Sequence, residues 1–155
     1  MNIRHSLLLL LIISFSCGST KSTIRNIDDN APVPKLSKDN TFIITEFSTD
    51  PKYGYDPDYP INIFFKNTKD DAINQQRFLN ALTGPKGEKV FFKRLESCCP
   101  FPTKHSEMGA GFLDVYEVTW VGLPRPILLY MNIYEKGKLM VPMGFGLRKT
   151  QEQAK

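Results

Sequence analysis

From residue 112 to residue 147 the side chains alternate with a period of two, and this pattern constrains the chain more than any other. Asp114, Tyr116, Val118 and Trp120 alternate with Leu113, Val115, Glu117 and Thr119 until Gly122 and Pro124 stop the run. Ile127, Leu129, Met131 and Ile133 then alternate with Leu128, Tyr130, Asn132 and Tyr134. Residues 135–138 form a turn, and Leu139, Val141, Met143, Phe145 and Leu147 face one way beyond it. Successive side chains of a strand point to opposite faces, so these runs read as three strands joined as an antiparallel meander. Pro142 lacks a backbone donor and places the last strand at an edge or at a bulge.

The preceding residues add three strands and a helix. Residues 41–47, 61–65 and 89–95 are rich in β-branched and aromatic side chains and are bounded by Asp, Asn, Pro and Gly. Residues 67–83 read as a helix, with Asp70 and Asp71 near its start, Gly84 and Pro85 after its end, and Phe78, Leu79 and Leu82 on one face. Asn74, Arg77 and Asn80 fall off that face. The expected fold class is α+β, a mainly antiparallel sheet of about six strands with one packing helix and a C-terminal three-stranded meander. Repeats, Walker loops and dinucleotide fingerprints are absent from the sequence, and Gly109-Ala110-Gly111 is too short to cradle phosphate. No cofactor is implied.

Ahead of this domain, Arg4 precedes an apolar run from Leu7 to Phe15, and small residues follow. That order reads as a secretory signal over residues 1–16, too short for a membrane-spanning helix of about 20 residues. Cys17, with Ser16 before it and Gly18 after it, resembles the lipobox of bacterial lipoproteins, whose cysteine is acylated and becomes the N-terminus. The resemblance implies lipidation at Cys17 and a membrane partner reached through that lipid. Residues 17–40, polar with Pro32 and Pro34, read as a lipidated cysteine and flexible tether. The single domain is expected over 41–149, with a polar tail at 150–155. The chain carries 20 basic and 16 acidic residues, a formal net charge of +4, and loss of Arg4 with the signal leaves about +3. The charges are scattered, which argues against nucleic acid as a partner. The expected location is the cell envelope, on the outer membrane and facing the periplasm or the surface.

Chemistry-bearing residues gather in two places. Cys98, Cys99, His105 and Met108 lie among Pro100, Pro102, Gly109 and Gly111. Adjacent cysteines in an oxidising compartment can form a vicinal disulfide; as thiols they can bind a soft metal with His105 and Met108, or supply a nucleophile with His105 as base. Both can also serve as small buried groups that brace a loop. No second histidine follows the signal to complete a conventional zinc set, since the chain has only His5 and His105. The second place is Tyr53, Tyr55, Asp56, Asp58 and Tyr59, a loop broken by Gly54, Pro57 and Pro60. Its aromatic rings suit a binding surface for a protein or glycan, and its two carboxylates sit at alternate positions without the further ligands of a calcium loop. No catalytic residue is identified.

Four stretches carry a resemblance over most of the domain: residues 53–62 (YGYDPDYPIN), 76–82 (QRFLNAL), 96–101 (ESCCPF) and 113–117 (LDVYE). They resemble a family of small uncharacterised exported proteins of Bacteroidota-type bacteria. Its members often carry the automatic name 2-dehydro-3-deoxyphosphooctonate aldolase, a synthase that uses cytoplasmic phosphoenolpyruvate. That synthase resembles a (β/α)₈ barrel of about 250 residues, twice the length of this domain.

These readings converge on an envelope lipoprotein that binds or assembles with an envelope protein or glycan. A thiol-redox or metal-handling protein built on the Cys98-Cys99 stretch is the alternative, and the aldolase activity of the family name comes third.

Overall fold

In a computed structural model of the chain, residues 22–63 and 71–149 are described. The signal segment 1–16, Cys17, the tail 150–155 and residues 64–70, where the second expected strand ends and the helix begins, lie outside the described residues. The elements are β1 (Ile61–Asn62), α1 (Asp71–Leu79), β2 (Leu82–Thr83), β3 (Phe91–Pro102), β4 (Ala110–Thr119), β5 (Ile127–Asn132) and β6 (Gly146–Leu147). The fold is α+β, with one helix among the described residues. A four-stranded sheet has the order β1-β5-β4-β3, and β2 pairs with β6 in a separate two-stranded sheet. The long sheet is mixed, because β3, β4 and β5 are antiparallel whereas β1 runs parallel to β5.

The first two strands of the expected meander form, with Tyr116 opposite Leu129 and Val118 opposite Ile127. The third does not join them. Beyond Asn132 the chain bends, and residues 139–147 leave the sheet to contribute a bridge from Val141 to Phe47 and the short β6. Pro142 cannot donate to a ladder, and Phe145 N donates to Pro142 O at 3.2 Å while Gly144 adopts φ 87°. That turn breaks the run despite its alternating side chains. Residues 41–47, expected as a strand, form only isolated bridges, Leu36 with Phe42 and Phe47 with Val141.

The sheet separates two apolar clusters. On one face Phe78 and Leu79 of α1 pack with Tyr116, Val118, Leu129 and Met131 in the main core. Asn74, expected off the apolar stripe, is also buried and reaches the Ile63 carbonyl through Nδ2 at 3.4 Å. On the other face Phe101 and Leu113 form a smaller cluster with Ile24.

Ile24 lies in the stretch expected to be a tether, and its burial corrects that expectation for residues 22–40. Arg25 N donates to Asp58 O at 2.9 Å, Asp28 N to Lys136 O at 2.8 Å, and Asn62 Nδ2 to Asn26 O at 2.8 Å. A segment without an apolar stripe is thus held mainly by main-chain and amide hydrogen bonds, which composition does not reveal. Gly137 lets the two segments approach, since a Cβ there would collide with the Asn26 carbonyl oxygen. No helix among the described residues is long and apolar enough to cross a membrane.

Candidate functional site

The Cys98-Cys99 stretch is part of β3, a bulged strand where a loop was expected. Register shifts fall between Arg94 and Glu96 and between Cys98 and Phe101, so Leu95 is an extra residue against β4 and Cys99 and Pro100 together oppose the single Phe112. Cys99 takes φ 57°, the left-handed conformation that certain bulges require. Cys98 and Cys99 are joined in a disulfide and pack beside the Ile24, Phe101 and Leu113 cluster. The bond leaves neither sulfur available as a thiolate ligand or nucleophile. Met108, on the loop between β3 and β4, is 80 % exposed, whereas the sulfur pair packs on the apolar cluster.

His105 turns to a different set of groups. Thr103 Oγ1 accepts a hydrogen bond from His105 N at 3.0 Å and donates to Glu135 Oε1 at 2.5 Å. The other oxygen of Glu135 lies 3.1 Å from His105 Nδ1. Asp29, on the N-terminal segment, completes a cluster in which one donor atom from each of Asp29, His105 and Glu135 lies within 4.8 Å of the others. Lys104 Nζ sits 3.2 Å from Asp29 Oδ2, and Lys136 Nζ donates to the Asp29 carbonyl at 3.2 Å. A cavity of about 210 Å³ opens beside them, lined in part by Ser22, Asp29, Thr103, Lys104 and Glu135. Glu135 is 4 % exposed, and its backbone N donates to Asn132 Oδ1 at 3.3 Å. Asn132 is itself tied to Asn62 by Nδ2 to Oδ1 at 2.9 Å.

In the tyrosine loop Tyr53 is buried, which removes it from the expected binding surface, while Tyr55, Asp56 and Tyr59 are partly buried and Asp58 is exposed. Tyr53 is fully buried, and its hydroxyl accepts from Met140 N at 3.2 Å. Burial pushes the Tyr53 phenol above its ordinary range. Tyr55 donates to the Met143 carbonyl, and burial pushes its phenol up to about 12. Tyr59 meets Tyr53 edge to face with centroids 5.3 Å apart and carries the Arg25 guanidinium 4.2 Å above its ring. Asp56 accepts from Asp58 N at 2.9 Å and pairs with Lys52 at 3.4 Å. These groups fasten the N- and C-terminal segments to the sheet.

A second polar cluster, absent from the sequence reading, lies between α1 and the sheet. Asp114 Oδ2 accepts from Gln75 Nε2 at 2.7 Å, while Oδ1 accepts from Arg94 Nη2 at 2.6 Å and Ser97 Oγ at 2.9 Å. The Tyr116 hydroxyl donates to Gln75 Oε1 at 2.8 Å. Burial raises the Asp114 carboxyl, but the hydrogen bonds from Arg94, Gln75 and Ser97 and the Arg94 charge outweigh it and hold the group below the usual carboxylate range. The available signal was Asp114 itself, a charged residue on the same alternating face as Tyr116, Val118 and Trp120. Asp29 and Glu135 had no such signal, because they come from a polar run and a turn. No family model, curated protein or solved structure matches this chain.

Proposed function

We propose that this chain is a membrane-anchored envelope lipoprotein, held by lipid on Cys17, whose domain binds an extended segment of another envelope protein along β3. The observation that carries the reading is the position of β3. It is a twelve-residue edge strand, paired with β4 on one side and with no described strand on the other. Its exposed Phe91 and Leu95 place apolar side chains along that strand. An open edge of this kind accepts an added strand, with main-chain hydrogen bonds giving affinity and side-chain contacts giving specificity. The bulges at Leu95 and Cys99 confine regular pairing to short stretches and so disfavour indiscriminate edge-to-edge association.

A photo-reactive residue introduced at Leu95 in the host tests the docking edge. Crosslinking to one envelope protein, lost when Phe91→Asp is added, is the expected result. Equal crosslinking from the exposed Val33 on the N-terminal segment, or capture of glycan alone, refutes it. Intact mass of membrane-extracted protein tests the anchor: a chain starting at Cys17 with acyl mass is expected, and an unacylated chain cut elsewhere refutes it.

A second reading rests on the Cys98–Cys99 bond. Two electrons and two protons from a dithiol donor would convert it to two thiols as the donor becomes a disulfide. Replacing both cysteines with serine leaves edge binding intact under the first reading and abolishes activity under the second.

A further inference from the structure

We propose that Asp29, His105 and Glu135 form a binding site for a divalent first-row metal ion of the zinc class, distinct from the sulfur pair and from the β3 edge. One imidazole nitrogen and two carboxylate oxygens make a mixed donor set suited to Zn²⁺, whereas calcium takes six to eight oxygens. Bond lengths of about 2.0–2.2 Å place tetrahedral donors about 3.4 Å apart. The 3.1 Å separation of His105 Nδ1 and Glu135 Oε2 is already near that value, and the full set lies within 4.8 Å. Closure requires only a small movement of Asp29, which is on the surface.

The surrounding groups are built as metal sites are. Thr103 fixes one oxygen of the buried Glu135 and turns the other toward His105, and the same hydroxyl holds the His105 backbone. Asn132 fixes the Glu135 main chain. Such outer contacts orient donors and limit the entropy lost when an ion binds. Three protein donors leave a fourth position open, and the 210 Å³ cavity beside Asp29 and Glu135 gives it room for water or an exogenous ligand.

Two lysines oppose the ion. Lys104 neutralises Asp29 at 3.2 Å, and Lys136 meets the Asp29 carbonyl. Lys104 is exposed, so an incoming cation displaces its ammonium into water. Removing that competing charge therefore strengthens binding, an outcome that a merely structural ion pair does not share.

Calorimetric titration of the purified full-length chain in non-ionic detergent with ZnCl₂, after free thiols are alkylated, tests the site. The expected result is one saturable Zn²⁺ per chain. His105→Ala and Asp29→Asn, both at exposed positions, should each weaken binding at least about tenfold, and Lys104→Ala should tighten it. Circular dichroism of the three variants, each matching the parent, confirms that affinity rather than folding has changed. The proposal is overturned if the parent shows no saturable site, if either donor variant binds as the parent does, or if Lys104→Ala binds no tighter.

Discussion

Replacing Asp114 with alanine should lower stability by about 2–3 kcal/mol, because it leaves the Gln75 amide without an acceptor inside the protein. Gln75 is 2 % exposed, so water cannot replace the lost partner, and an unsatisfied buried donor costs about 1–3 kcal/mol. Arg94 behaves differently. Its side chain is 50 % exposed against 10 % for Asp114, so the guanidinium returns to water and the broken pair adds only about 0–1 kcal/mol. Asp114→Asn should cost less than half as much. If Gln75 turns over, the new amide donates to Gln75 Oε1, and Gln75 Nε2 donates to the Tyr116 hydroxyl. That relay needs Tyr116, so Tyr116→Phe should cost about 1 kcal/mol more in the Asp114→Asn background than in the parent. Urea denaturation followed by circular dichroism measures all four variants. Equal costs for the alanine and asparagine replacements, or strict additivity with Tyr116→Phe, would refute the reasoning. The pH dependence follows from the lowered carboxyl of Asp114. The unfolded chain takes up this proton at about pH 3.9, whereas the folded chain releases it down to a lower pH. The advantage of the parent over Asp114→Asn is therefore complete above the unfolded value and disappears as pH falls through the folded one.

Three further predictions concern the segments that flank the sheet. Gly137→Ala should destabilise the protein and increase protease cleavage within residues 22–31, because the methyl collides with the Asn26 carbonyl; unchanged cleavage and melting would contradict that close approach. Ile24→Ala should cost about 2 kcal/mol in urea denaturation, against near zero if this stretch were a free tether. Joint Cys98→Ser and Cys99→Ser replacement should change stability by less than about 1 kcal/mol, because a bond between neighbours closes a minimal loop and restricts the unfolded chain little. A larger loss would assign the sulfur pair a greater packing role beside Phe101 and Leu113.

Local pattern determined a good part of the fold. The alternation at residues 112–121 and 127–132 is a property of neighbouring side chains, and it yields β4 and β5 with their faces correctly divided. The apolar stripe through Phe78 and Leu79 likewise yields a helix against the core. The same pattern at residues 139–147 did not yield a third meander strand, since alternation sets which way side chains point but not which backbone they pair with. Pro142 and the turn to Phe145 decided that pairing, and β1 occupies the sheet edge beside β5.

The candidate sites divide along the same line. Sequence alone brought Cys98 and Cys99 together, because adjacency in the chain fixes their separation, and it marked His105 as a group of interest. It also placed the tyrosines in one loop, but the hydroxyls of Tyr53 and Tyr55 meet the distant Met140 amide and Met143 carbonyl, respectively, which local pattern does not reveal. The union of His105 with Asp29 and Glu135 is a matter of tertiary structure. Asp29 stands 76 positions before His105 and Glu135 30 positions after it, so no local spacing encodes the cluster. Backbone hydrogen bonds from Asp28 to Lys136 and the close approach at Gly137 join the first and last of these segments, and the β3–β4 connection brings His105 to them. Short-range side-chain patterning thus determined the elements, whereas long-range backbone hydrogen bonding decided which polar groups meet.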